Sequence, residues 1–466
     1  MSHDNCSHCL PSPISRLEFL RLTGLSLGSL ALGTMLPEMF GATAPLAAPG
    51  QPALNLLPRR PPLPAKAKHV IHIFAGGAPS HLDTFDAKPE MAAMGGKTVN
   101  GLGGVIWPSP FKFEACGKGG VQISEIFPHL QTVADEMCVV RSMHSEIPAH
   151  GPASKLLHTG SAILTKPSLG SWVLYGLGTE SADLPGFVSL GGSPEARQAA
   201  FLPGIYQGAQ TNFNANQPVK KVLPNLTSEF SSADEQRAQL DLVRSLDEQH
   251  EKDVPTDAQL EARIGSFELA FRMQTAATDA FDITKETAAT RAAYGPGDVA
   301  ARILCARRLV ERGVRFVQID AGGWDHHTNL VTSINKTATA VDQPAAALIA
   351  DLKQRGLLDQ TLIIWGGEFG RTPNTAGGIT ANSGRDHWSN AFCCWLAGGG
   401  VRGGQMYGET DDLGREVVKD GVHVHDLHAT ILRLLGFDHT KLTYRYNGRD
   451  FRLTDNFGQI VSPIIA

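Results

Sequence analysis

Positive charge is not in surplus in this sequence: 41 Lys and Arg stand against 46 Asp and Glu, a formal net charge of −5. A nucleic-acid binder needs a basic surplus to neutralise phosphates, so that class is excluded. Charged residues make up only 19% of the chain, while 42% is hydrophobic, which excludes an intrinsically disordered chain. No stretch after residue 60 supplies the ~20 uninterrupted apolar residues of a spanning helix. Cysteine is scarce too, seven in 466 residues. Cys6 and Cys9 form a C-x-x-C near the start, and no second pair nearby completes a zinc site. The other five, Cys116, Cys138, Cys305, Cys393 and Cys394, lack disulfide-framework spacing and read as small buried hydrophobes. No Walker-type phosphate loop is present.

Residues 1–48 read as an export signal. Ser15-Arg16-Leu17-Glu18-Phe19-Leu20-Arg21 precedes a Gly-interrupted apolar run, and Ala42-Thr43-Ala44 is a small-residue cleavage site. The layout is twin-arginine-like, with Leu17 where the second arginine would stand. The mature protein is therefore expected in the periplasm or cell envelope. Residues 49–66 are Pro-rich and read as a linker.

Apolar runs at 69–74, 137–142, 187–190, 314–319, 361–365 and 391–396 read as strands. Residues 228–312 read as a helical insertion, and Asp426 is expected to cap a last helix over 427–435. Near-continuous apolar strands separated by helices predict an α/β fold with a mostly parallel sheet covered on both faces. Functional sites of such folds lie beyond the carboxyl ends of the strands.

Polar clusters follow four of these strands: His81, Asp83 and Asp86; His144, Glu146 and His150; Asp325, His326 and His327; and Glu368 with Arg371. A fifth, Arg385-Asp386-His387-Trp388, precedes the strand at 391–396. Each alone is as well explained by a local hydrogen bond or cap. Converging on one crevice, however, carboxylates and imidazoles repel or lose solvation unless something binds them. One or two divalent ions, zinc or manganese, are the simplest compensation. Two motif matches are set aside. Gly24-Leu25-Ser26-Leu27-Gly28 lies in the apolar signal run, and no helix follows Gly398-Gly399-Gly400-Val401-Arg402-Gly403.

The set SHLDTFD, ELAFRMQ, ARRLVERGVRFVQ, GGWDHH, GGEFGRTP, GRDHW and HDLHATILRLLG, over roughly residues 66–460, resembles the exported bacterial family known as domain of unknown function 1501. That family is regarded as a relative of the alkaline phosphatase/sulfatase superfamily. The resemblance implies a three-layer α/β/α alkaline-phosphatase-like core, spanning 67–460, with a metal site. It implies metal ligands among His81, Asp83, Asp325, His326, His327, Glu368, Asp386 and His387. His150-Gly151-Pro152-Ala153-Ser154 through Thr159-Gly160 has the spacing of the sulfatase nucleophile turn, C-x-P-S-R with a later T-G. His150 then occupies the nucleophile slot and Ser154 the arginine slot, so a formylglycine mechanism is excluded. The superfamily's Asp-His dipeptide appears as Glu368-Phe369, which alters or removes a second metal site. The expectation is an exported metal-dependent hydrolase of phosphate or sulfate esters without a Ser/Thr/Cys nucleophile. His150 and Glu368 would handle protons, Arg371 would hold the anion, and the substrate would be an anionic small molecule or glycan ester. The alternative is a non-catalytic metal-binding or envelope protein on the same fold.

Overall fold

The computed structural model describes residues 55–99, 101, 103–211, 213–214, 217, 222, 232–251 and 258–466. The export-signal expectation, residues 1–48, lies outside them. Nine strands build one central sheet: β1 (His69–Phe74), β2 (Met137–His144), β3 (Phe187–Leu190), β4 (Ala209–Thr211), β5 (Phe316–Asp320), β6 (Thr361–Gly366), β7 (Phe392–Ala397), β8 (Gln405–Tyr407) and β9 (Val422–His423). Their order is β8-β2-β7-β6-β1-β5-β3-β4, with β9 also beside β2. All pairings are parallel except those of β7, which runs antiparallel to both β2 and β6.

The alternation along each strand explains the three layers. Ile71, Ile73, Val139, Val317, Ile319, Ile363 and Trp365 face one side and pack with helices Asp298–Glu311 and Leu330–Gln354. Val70, Cys138, Val140, Phe316, Leu362 and Ile364 face the other and meet helices His150–Thr159, Leu169–Leu177 and Val424–Leu434. Both faces are covered, hence the near-continuous apolar strands that the sequence displays. The five cysteines from Cys116 onward are buried and unpaired with one another.

Three local differences from the sequence reading have physical causes. The segment read as one helical stretch divides, among the described residues, into helices Ala233–Glu251, Ala258–Phe281, Ala288–Tyr294 and Asp298–Glu311. The Pro-rich stretch is no free tether where it is described: Arg59, Leu63 and Lys66 donate backbone hydrogen bonds to Leu177, Gly436 and Leu434. The last helix starts earlier, because His423 rather than Asp426 is its cap. The His423 imidazole accepts from the His425 N–H while Asp426 accepts from the His423 N–H, a capping box built with an imidazole. Among the described residues, no helix is long and apolar enough to cross a membrane.

Candidate metal centre

The carboxyl ends of β1, β2, β5 and β6 open at one rim. The loop carrying His387 precedes a strand, which in an all-parallel sheet would put it at the opposite edge. β7 runs the other way, with Cys394 opposite Gly366 and Phe392 opposite Met143, so its beginning lies at the same rim. A short antiparallel ribbon then sets Arg371 directly opposite His387.

Glycine makes the close approach of these loops possible. Gly77, at φ 99°, lies after β1, and a Cβ there would meet the backbone nitrogens of Asp325 and Trp324 at 2.7 and 2.8 Å. Its N–H donates to Glu368 Oε1 at 3.1 Å, and its carbonyl accepts from Arg371 Nη2 at 2.6 Å. One residue thus ties together the loops after β1, β5 and β6.

Four groups converge at the rim: one ligand atom from each of His150, Asp325, His327 and His387 lies within 4.8 Å of the others. Each imidazole commits its Nδ1 elsewhere. His150 Nδ1 donates to Glu368 Oε1 at 2.6 Å, His327 Nδ1 to Asp386 Oδ1 at 2.9 Å, and His387 Nδ1 to the Pro148 carbonyl at 2.9 Å. A carboxylate or carbonyl can only accept, so Nδ1 carries the proton in all three. Their Nε2 lone pairs are left facing inward. His327 Nε2 and His387 Nε2 are 2.9 Å apart. Asp325 Oδ1 is 3.0 Å from His327 Nε2, 3.3 Å from His150 Nε2 and 3.5 Å from His387 Nε2. His150 Nε2 is buried with no hydrogen-bond partner. Three lone pairs and an anionic oxygen aimed at one point repel each other, and the Arg371 guanidinium, 2.6 Å from Asp325 Oδ1 and 3.4 Å from His327 Nε2, reaches only two of the four. Imidazoles whose outer N–H is fixed by a carboxylate or carbonyl are the usual arrangement around a metal. The donor set therefore fits a divalent cation.

The charges are already biased. The hydrogen bond to Glu368 raises the His150 pKa against the effect of burial. Burial alone would raise the Asp325 carboxyl, but the hydrogen bond and charge of Arg371, then His150 and His327, hold it well below the usual carboxylate range. Burial, aided by the charges of Arg371, His150 and His327, lowers His387 although Pro148 opposes it. Phe369 lies buried beneath the cluster, its ring centroid 5.0 Å from that of His150 and 4.7 Å from that of His387. It forms an apolar wall on that side of the cluster.

The other residues expected as ligands have different places. Asp83 is wholly buried and forked onto Arg385, at 2.7 and 3.2 Å, with Ser80 also donating to it. His81 is buried between the Gly414 carbonyl, 2.8 Å from Nε2, and the Arg371 N–H. His326 points away beside Trp324 and is held neutral by burial, its pKa lowered to about 4. Glu368 and Asp386 orient His150 and His327 rather than joining the four. Arg371, expected to hold a substrate anion, is 1% exposed, and its guanidinium donates to Gly77, Ala78, Arg385 and Asp325. It is a clamp on the loops, and its Nη1 also lies 3.4 Å from His327 Nε2. His144 and Glu146 form a separate group with His423, which is 3.0 Å from Glu146. Sequence reading missed the Pro148 carbonyl, which no side-chain pattern signals, and Trp107, whose ring lies 4.8 Å under the Arg385 guanidinium.

Comparison with known proteins gives one family match: Protein of unknown function (DUF1501), over residues 67–465. No curated protein matches the chain. Among solved structures, Ps i-CgsB is 13% identical, with a TM-score of 0.36 and 79% of this chain and 72% of that chain covered. The structure of Ps i-CgsB in complex with k-i-k-neocarrahexaose gives 12% identity and a TM-score of 0.33 at the same coverage. PsFucS1 sulfatase from Pseudoalteromonas sp. is 13% identical, with a TM-score of 0.31 and 92% and 72% covered. The family match spans most of the chain, and the chain belongs to the DUF1501 family.

Proposed function

We propose that this DUF1501 protein is an exported, metal-dependent hydrolase of phosphate or sulfate esters, working without a Ser, Thr or Cys nucleophile. The observation that carries the reading is the convergence of three imidazole Nε2 atoms and one carboxylate oxygen at a solvent-facing rim, with every Nδ1 already committed. Asp325, His327 and His387 would hold the cation, and a set of two imidazole nitrogens and one carboxylate oxygen with an open position suits zinc. A bound divalent ion would supply Lewis acidity toward an ester oxygen and stabilise the charge that develops there.

The chain's own groups divide the remaining work. His150 is the imidazole paired with a buried glutamate, whose hydrogen bond raises its pKa. Its Nε2 is free to take a proton from water, with Glu368 holding the ring and the positive charge that forms. Asp386 and the Pro148 carbonyl fix the tautomers of His327 and His387. Arg371 fixes Asp325 and shares its charge, so the anionic group of the substrate meets the cation rather than the guanidinium. Export to the periplasm or envelope is read from residues 1–48, and the ester class spans small molecules and glycans.

The test is metal content and turnover measured together on purified protein and its variants. Asp325→Ala and His387→Ala should each lose most of the bound transition metal. His150→Ala should retain it while hydrolysing a phosphate- and sulfate-ester panel at least about a hundredfold more slowly, the contribution expected of a proton-transfer group. If Asp325→Ala and His387→Ala both kept their metal, the ligand set would be wrong. If metal-loaded wild type were inert on the whole panel, a non-catalytic metal-binding role would replace the hydrolase.

A further inference from the structure

His150 borders a cavity of about 450 Å³, within the range of small-molecule sites. Its walls are Phe74 at the end of β1, Gln318 and Asp320 on β5, Ser193 and Glu195 after β3, and Ser154 on the helix that His150 begins. Among the described residues, neither the helices at 233–281 nor the loops at 87–130 line it.

The polar groups of this cavity are arranged for hydroxyls. Gln318 is 1% exposed, and its Oε1 takes the Nδ1–H of His72 at 2.9 Å. Its amide nitrogen makes no hydrogen bond among the described residues, so a donor fronts the cavity. Asp320 is half-buried, and burial raises its pKa. Arg302 donates to the Asp320 backbone carbonyl rather than to the carboxylate, and no ion pair claims that carboxylate among the described residues. A free amide donor and a carboxylate that accepts from the Gly322 N–H and keeps acceptor sites to spare, two residues apart on one strand, stand with two serines and the Phe74 ring. The charge balance is acidic. Asp320 and Glu195 face Lys155, whose ammonium is drawn to the Ile163 carbonyl at 2.6 Å.

We infer that this cavity is a subsite for an uncharged, hydroxyl-bearing ring, a neutral sugar unit, carried by the alcohol half of the ester that reaches the metal cluster. The inference rests on the hydrolase reading for the ester and on the cavity alone for the ring. Asp320 and Gln318 bracket adjacent hydroxyls, and Phe74 covers an apolar ring face. The two carboxylates reject densely sulfated chains, which narrows the glycan class to singly esterified units.

Calorimetric titration of the zinc-loaded full chain with methyl glycosides of glucose, galactose and mannose tests it, alongside a heavily sulfated heparin tetrasaccharide. At least one neutral glycoside should bind. Asp320→Ala and Gln318→Leu should each weaken it at least about tenfold, as expected for losing a hydrogen bond to a charged or buried group. Asp320→Lys, a second probe should either variant fold poorly, should shift preference toward the tetrasaccharide. Binding of no neutral glycoside, binding unchanged in Asp320→Ala, or tighter binding of the tetrasaccharide to wild type would overturn the subsite. Turnover of the ester panel is followed in parallel. Glycoside binding by a protein that hydrolyses nothing would remove the hydrolase and leave the subsite, whereas turnover without glycoside binding would do the reverse.

Discussion

Glu368 is 2% exposed and spends Oε1 on His150 and Gly77, while Oε2 is buried with no hydrogen-bond partner. A residue in that position acts through the imidazole it holds. Glu368→Gln keeps the shape and the acceptor but removes the charge that makes His150 basic. Turnover should fall about 10–100-fold while metal content stays near wild type, the cost usual for a partner one step behind the reacting group. Parallel metal analysis and steady-state kinetics decide the point; loss of the metal would make Glu368 a ligand, as the sequence suggested. That suggestion was reasonable, because position after a strand marks a residue as near the rim without saying which neighbour it meets. Asp83 shows the limit most clearly. It is an acid in the right loop, yet its partner Arg385 lies 302 residues away, and no local pattern announces that pairing. His387, by contrast, does lie with His150, Asp325 and His327, in a loop whose imidazole and carboxylate the sequence displays.

At the scale of elements, two devices hold the His387 loop in place. One is the buried Asp83–Arg385 pair, with Arg385 also donating to the Thr372 carbonyl and resting on Trp107. Asp83→Ala would leave a guanidinium buried without its counter-charge, which costs about 3–5 kcal/mol. Urea denaturation should show that loss, and the metal should still bind the folded fraction; an unchanged midpoint would mean the pair is not needed. The other device is the ribbon Gly370–Arg371 against His387–Trp388. A Cβ at Gly370 would stand 2.2 Å from the Ala391 carbonyl and 2.6 Å from His81 Nδ1. Gly370→Ala should therefore push the ribbon outward, destabilise the protein by about 1–3 kcal/mol and weaken metal retention, both read from a melt with and without chelator. The strands themselves were visible as apolar runs, but the reversed direction of β7 was not. Nothing in a six-residue apolar strand encodes its orientation, and that orientation is what brings the fifth cluster to the rim.

Across the whole molecule, the layer between the sheet and its His150-bearing helix carries three buried imidazoles: His72 on β1, His158 on that helix and His428 on the last helix. Burial holds His72 at about 4 and His428 at about 3, and takes His158 well below its ordinary value; their mutual repulsion when charged adds to this for His158 and His428. In the unfolded chain each would titrate near 6.5. Above that pH both states are neutral and the groups do not affect stability. As pH falls below it, the unfolded chain binds protons that the folded one refuses, so stability declines down to the folded values near 4 and 3. At ~1.4 kcal/mol for each tenfold change in proton affinity, His72 alone withdraws about 3 kcal/mol by the bottom of that window. The carboxylates held low by their partners, such as Asp83, act in the same direction but only below their ordinary value of 3.8. The urea midpoint should therefore begin to fall near pH 6.5, well before ordinary acid denaturation. His158→Phe removes one titrating group from a site where Phe74 already packs at 4.6 Å and where Nε2 has no partner. Its stability should fall less steeply between pH 6.5 and 4, by up to ~1.4 kcal/mol per pH unit, since one refused proton is gone while those of His72, His428 and His326 remain. A midpoint flat from pH 7 to 5 in wild type would show that the folded protein accepts those protons, which would require water to reach the layer beneath the His150 cluster.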